Sequence, residues 1–215
     1  MISVLTRPTL VLASASPARL KTLRAAGLDP DVLVSGVDES IVESTNAAVL
    51  SGTLARLKAE AVLARLRQHP RAGGPAVVLG CDSVLEFDGE VLGKPADEAQ
   101  TLARWRRMRG RSGTLHTGHC LIDVESSAHA EAVASTTVHF AQLDDDELAA
   151  YIQTGEPAHV AGGFTIDGLG GWFVERIEGD PGTVIGVSLP TLRRLLRELG
   201  MGIPQLWPAP LATPS

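Results

Sequence analysis

The chain has 215 residues, with 44% hydrophobic, 20% charged and only 4% aromatic side chains, an ordinary soluble composition whose core must be built from Ala, Val, Leu and Ile. Nineteen Lys and Arg against 25 Asp and Glu give a formal net charge of −6, which argues against a general nucleic-acid binder but not against a local basic pocket. No uncharged apolar run reaches ~18–20 residues and the start of the chain lacks a signal-peptide pattern, so neither a membrane span nor secretion is expected. Cys81 and Cys120 both sit in apolar contexts and are read as reduced core residues of a cytoplasmic protein.

Thr9–Ala13 is a short apolar run and predicts a buried strand. Ser16 followed by Pro17 predicts a helix start, and Gly27 its end. Asp31–Val37 predicts a second strand, running into the acidic pair Asp38-Glu39. From Asn46 to His69 the spacing predicts a long helix with Leu50, Leu54, Leu57, Ala61 and Ala64 on its apolar face and Lys58 near the edge of that face. After a Gly/Pro loop at 70–75, Ala76–Gly80 predicts a central strand with Asp82 just beyond its end.

Asp88-Gly89 between Val84–Phe87 and Glu90–Leu92 predicts a type I′ hairpin. Asp97–Arg109 predicts a helix closed by Gly110, and Leu115–Val124 and Ala132–Gln142 predict strands. Asp144 with Glu147 forms a capping box that opens a helix ending at Thr154-Gly155. Phe164–Ile166 and Trp172–Ile177 predict short strands, within and after a Gly-rich functional loop at 155–171, and Pro190–Leu199 a final helix. Residues 201–215 carry four prolines and read as an irregular, dispensable tail after a single domain at 1–200. The alternation of elements makes the fold class α/β with a mixed sheet.

Several segments could carry chemistry. The small-residue turn Ala13–Arg19 at a helix start offers backbone N–H groups to an anion, with Arg19 as a clamp; a plain capped helix with an exposed arginine has the same pattern. Asp82 either holds a metal or activates water, or only makes an Asx turn. Lys94 in Gly93-Lys94-Pro95 suits a phosphate or a solvated turn, and Glu39 a cation or solvent. Lys58 is either a ligand or a snorkelling side chain. His116 and His119 are three apart in a segment that reads as a strand or loop, which does not place both on one face, and no cysteine or further histidine completes a zinc set. The arginines 104, 106, 107, 109 and 111 form a run read as solvent-facing or as a subunit contact.

Taken in order, LVLASASPARLKTL at 10–23, VDES at 37–40, LARLKAEAV at 54–62, LGCDSV at 79–84, DGEVLGKP at 88–95, YIQTGEP at 151–157, AGGFTIDGLGGWFVERIEGD at 161–180 and GTVIGVSLPTLRRLL at 182–196 closely resemble the Maf family, most of all its actinobacterial branch. The resemblance implies an elongated mixed sheet with flanking helices, in two lobes around a cleft, like that of the inosine triphosphate pyrophosphatases. It implies a nucleoside triphosphate pyrophosphatase that yields a nucleoside monophosphate and pyrophosphate and clears modified nucleotides from the pool. The family is usually cytoplasmic, often homodimeric, and needs a divalent metal, Mg²⁺ or Mn²⁺; a regulatory role in septum formation is its competing reading.

By matching position, Asp82 is the proton acceptor, Glu39 joins it at the metal, and Ser14, Ser16, Arg19, Lys58 and Lys94 surround the triphosphate. Ala18, Ser83 and Asp167 stand where the dTTP- and UTP-preferring branch has a basic residue, Thr and Gln. Asp167 can accept from guanine N1–H and N2–H₂ and would repel uracil oxygens, so the reading leans towards a guanine-type or modified purine. Thr183 and Gly113 replace a family Asn and His and are read as drift outside the catalytic set.

Overall fold

The computed structural model describes residues 7–42, 44–69 and 74–208. The chain start, most of the expected loop at 70–75 and the last seven residues of the tail lie outside the described residues. Seven strands form one mixed sheet: β1 (Thr9–Leu12), β2 (Asp31–Val32), β3 (Ala76–Phe87), β4 (Glu90–Leu92), β5 (Ser112–Asp123), β6 (His129–Phe140) and β7 (Val174–Glu178). The order is β2-β1-β3-β5-β6-β7, with β4 on β3 beyond the end of β1; the β1 pairings are parallel and the rest antiparallel. The expected α/β class and mixed sheet are therefore present.

Local signals place most elements. Ser16 caps α1 (Pro17–Ala25), Asn46 caps α2 (Ala47–Gln68) and Asp97 caps α3 (Glu98–Met108). The Asp144/Glu147 box opens α4 (Asp145–Gln153). Asp88 and Gly89 have φ of 54° and 75°, both positive as a type I′ turn requires. Two helices follow β7: the short α5 (Pro181–Ile185), absent from the sequence reading, and α6 (Leu189–Glu198).

Four expectations need correction. β3 is one strand of 12 residues, so Asp82 lies within it and not after its end. Antiparallel pairing with β5 continues across Asp82 after β1 has left at Leu12↔Leu79, which carries the strand on. β2 stops at Val32, because its partner β1 ends at Leu12 directly opposite, and only the Leu33 N–H bond to the Leu12 carbonyl follows. Phe164–Ile166 is not a strand, since its loop bonds to Glu156 instead of a sheet edge, and β7 starts only at Val174. Finally, α2 is rotated from its expected phase. Its buried face is Ala47, Ser51, Leu54, Ala55, Lys58, Ala59, Val62 and Leu66, so Lys58 sits inside that face while Ala64 is exposed.

Glycines explain this rotation. A Cβ on Gly80 would lie 2.1 Å from the Ala55 carbonyl oxygen, and one on Gly118 would lie 2.2 Å from that of Ser51. The helix backbone thus rests directly on β3 and β5, and its small side chains face the sheet. That close approach brings Lys58 within reach of β3.

Core packing changes over at the middle of β3. Leu79 and Cys81 pack with α1 and α6 on one face, and Leu85 and Phe87 pack on the same face with Trp105 of α3 and Leu148 of α4. Val78 packs with α2 on the opposite face. Between these clusters, where β1 has left and β4 has not yet joined, Asp82–Val84 border an open cleft. The first part of the tail is also packed. Leu206 is 2% exposed in the core beside α6, and the Trp207 indole donates to the Ala26 carbonyl at 3.1 Å. Dispensability can hold only for the remainder of the tail.

His119 ties β5 to α6. Its Nδ1 donates to the Thr117 carbonyl at 3.0 Å and its Nε2 accepts from Ser188 N–H at 2.9 Å. Burial, aided by the Arg19 charge, lowers its pKa from 6.5 to about 4. Between these values the unfolded chain binds more protons, so this contribution is full above pH 6.5 and is lost as pH falls towards 4. Roughly 3 kcal/mol is at stake. Urea unfolding at pH 7.5 and 4.5 should show a smaller acid loss for His119→Asn than for the native chain. His116, on the opposite face of β5, bonds Ser135 at 2.9 Å.

Candidate active site

The cleft has a volume of about 670 Å³. It collects Ser14, Ser16, Ala18, Arg19, Glu39, Lys58, Asp82, Ser83, Lys94 and Asp167, the residues that the resemblance sets around the triphosphate, the metal and the base. These residues come from the β1–α1 turn, the first turn of α1, the turn after β2, α2, β3, the turn after β4, and the loop after α4.

Lys58 is the centre of the charged part. Its Nζ lies 2.5 Å from Asp82 Oδ1 and 2.7 Å from Glu39 Oε1, with the lysine and aspartate side chains each 9% exposed. It is therefore no snorkelling lysine. The two carboxylates differ in environment. Burial raises the Asp82 pKa and the Glu39 charge adds to this, outweighing Lys58 and Arg19. Burial also opposes ionisation of Glu39, but the Lys58 hydrogen bond and the charges of Lys58, Lys94 and Arg19 prevail and hold its carboxyl below the usual range. The acidic pair expected at 38–39 divides its work. Asp38 caps a 3₁₀ turn by accepting from Ser40 N–H at 3.0 Å, and Glu39 turns inward.

Arg19 is a brace as well as a cleft residue. Its Nε donates to the Gly186 carbonyl at 2.7 Å, and its two terminal nitrogens donate to Ser14 Oγ at 3.0 Å and Ser83 Oγ at 3.1 Å. The chain continues with a fixed direction. Thr117 donates its hydroxyl to the Thr183 carbonyl at 2.7 Å, so it must accept from Ser83, at 2.8 Å. The free bidentate clamp expected of Arg19 is thus largely spent on joining α1, β3 and α5, and a guanidinium has five donors of which three are used here. Thr183 enters this chain through its backbone, so a replaced side chain there leaves the chain intact.

At the α1 start, Ser14 Oγ also accepts from Ser16 N–H at 3.2 Å and Ser16 Oγ from Arg19 N–H at 3.4 Å. The Ala18 N–H has no intrahelical acceptor and sits at the positive end of the helix. Lys94 is exposed at the cleft, and its turn is fastened by Arg104, which donates to the Gly93 carbonyl at 2.7 Å. The other arginines of the run pair with nearby acids, including Arg107 with Glu90 and Arg109 with Asp145. Asp167 is an exposed residue whose side chain is 30% exposed and lies 3.8 Å from that of the exposed Lys21. Sequence reasoning missed Thr117, Gly186 and the bonds from Glu156 to the loop after α4; strand register alone sets Thr117 opposite Ser83.

The model of the Maf-like protein family matches residues 9–199. The chain belongs to the Maf-like family. A protein of Salinispora tropica is 69% identical over 198 residues, covering 92% of this chain and 87% of that protein. One of Streptomyces avermitilis is 57% identical over 201 residues, covering 94% and 95%. One of Nocardia farcinica is 53% identical over 210 residues, covering 94% and 98%. All three are named nucleoside triphosphate pyrophosphatase. Among the described residues of this Maf-like chain, no helix is long and apolar enough to cross a membrane.

Proposed function

We propose that this chain hydrolyses a nucleoside triphosphate to the monophosphate and pyrophosphate, in the cytoplasm and as a homodimer. The observation that carries the reading is Lys58 Nζ bonded to both Asp82 and Glu39 in the cleft that also holds the α1 start and Lys94. A triphosphate brings about four negative charges, and cleaving it requires cations and aligned donors more than covalent chemistry. The relatives' shared name supports the same reaction.

The hard oxygens of Glu39 and Asp82 are of the kind that take Mg²⁺ or Mn²⁺; here one oxygen of each engages Lys58 Nζ, at 2.7 and 2.5 Å, and among the described residues no third His, Cys, Asp or Glu joins them, so phosphate oxygens or water would complete the ligand set. Held by Glu39 and Asp82, such an ion would supply charge neutralisation at the phosphates. The chain's own residues do the remainder. Asp82, with only Oδ1 engaged among the described residues and a raised pKa, accepts the proton of the water that attacks the α-phosphorus. Lys58 and Lys94 neutralise the departing pyrophosphate, and the Ala18 N–H offers it a donor. Ser14, Ser16 and Arg19 keep the turn in place, and Asp167 meets the base edge.

A carboxylate at the base edge favours guanine-type over pyrimidine substrates, since it accepts from N1–H and N2–H₂. Pyrophosphate release across standard and modified triphosphates should be best on a guanine or modified-purine substrate. Best turnover on dTTP and UTP would contradict the base assignment. A nucleotide-binding regulator without turnover is the second reading, favoured by the neutral Ala18 where the family has a basic residue. The absence of pyrophosphate release on every substrate, with binding intact, would favour it.

A further inference from the structure

Glu156 stands just after α4 and outside the charged cluster, yet its carboxylate is saturated with donors. Oε1 accepts from the Thr165 hydroxyl at 2.6 Å, the Gly170 N–H at 2.9 Å and the Tyr151 hydroxyl at 3.1 Å, and Oε2 accepts from the Leu169 N–H at 2.9 Å. Three of the four donors belong to the loop 164–170. The loop is moulded to the carboxylate: a Cβ on Gly168 would lie 2.4 Å from Glu156 Oε2, and one on Gly170 would lie 2.4 Å from the Tyr151 hydroxyl. The fourth donor anchors the acid to the core. Tyr151 is 2% exposed, and its ring packs 5.7 Å from that of Trp105 and 5.2 Å from that of Phe173. The same loop presents Phe164, Thr165, Ile166 and Asp167 to the cleft.

We propose that Glu156 is a positioning residue for substrate selection, holding residues 164–167 as the cleft wall against which the base is read. The inference rests on the reading that the cleft takes a nucleoside triphosphate. Glu156 itself touches no substrate; it fixes where Asp167 and its neighbours stand. A loop with no strand partner has few other ways to hold a wall to the sub-ångström precision that base discrimination needs. Charge-assisted bonds from two N–H groups and two hydroxyls supply that rigidity, which neutral bonds would supply less well.

The test measures kcat and KM of the full chain with Mg²⁺ on GTP and UTP for Glu156→Ala, Glu156→Gln and Asp167→Ala. Glu156→Ala is expected to change the GTP-to-UTP ratio of kcat/KM by at least about tenfold, acting mainly through KM, with kcat held within about threefold. Glu156→Gln keeps one acceptor oxygen but sets an amide donor against a loop N–H, so it should shift the ratio the same way and less; it also serves if the alanine variant does not fold. An equal loss of kcat on both nucleotides with the ratio unchanged would mean a merely structural role and overturn the proposal. If Asp167→Ala moves the ratio while neither Glu156 variant does, the base reading stands and the positioning role falls. If the Glu156 variants move it and Asp167→Ala does not, the positioning role stands and the Asp167 assignment falls. A native chain that turns over neither GTP, UTP nor a modified purine triphosphate removes the nucleotide reading and the positioning role with it.

Discussion

Asp82→Asn is expected to cut turnover by about 10²–10⁴-fold, the usual worth of a positioned general base, while the protein stays folded. The effect is electrostatic. Asp82 is buried on β3, and burial raises its pKa despite Lys58 and Arg19. A carboxyl whose folded pKa is raised costs stability in its ionised form, above that pKa, and the cost disappears as pH falls below it. Asn removes that cost and also removes a charged partner of Lys58, which keeps Glu39 at 2.7 Å. The opposing changes should leave Tm within about 3 °C of the native value, which corresponds to roughly 1 kcal/mol in a chain this long. Steady-state pyrophosphate release and thermal unfolding on the same preparation check both halves. Activity above roughly a tenth of native would remove Asp82 from the proton-accepting role.

Lys58→Ala behaves differently, because it leaves two carboxylates facing each other with one of them buried. Breaking a buried ion pair from one side costs about 3–5 kcal/mol, and this should lower Tm by about 6–20 °C. Activity should fall as well, by about 10²–10³-fold, as a charge-stabilising group is lost. Two further results separate this cause from general damage. Without its lysine, Asp82 has a still higher pKa, so protonation relieves the defect and the Tm deficit should be smaller at pH 5 than at pH 8. The double variant Lys58→Ala with Asp82→Asn should recover much of the lost Tm and none of the activity, because the uncompensated charge is gone. Thermal unfolding across pH checks both; a deficit that ignores pH and adds across the double variant would contradict the ion-pair origin.

The parts of this structure set by local rules were legible in the sequence. Ser16-Pro17, the Asp144/Glu147 box and Asp88-Gly89 act within a few residues, and each gave the element it signals. Every cleft residue singled out from the sequence is in the cleft, yet the order of the motifs, through the family resemblance, joined them and not any one spacing. What failed depended on partners far along the chain. The phase of α2 follows from Gly80 and Gly118 on two strands, which let the helix's small side chains face the sheet and carry Lys58 inward. Asp82 lies inside β3 because β5 pairs across it. Arg19 spends three donors on Ser14, Ser83 and Gly186, the last 167 positions away. Likewise, Leu206 packs into the core despite the prolines around it, since a core site outweighs a composition signal.

The reaction itself is tested most directly by the fate of oxygen. GTP turned over by the native chain with Mg²⁺ in ¹⁸O-water should give GMP carrying one labelled oxygen and pyrophosphate carrying none, read by mass spectrometry. That result places water at the α-phosphorus. GDP with labelled inorganic phosphate, or labelled pyrophosphate with unlabelled GMP, would contradict it.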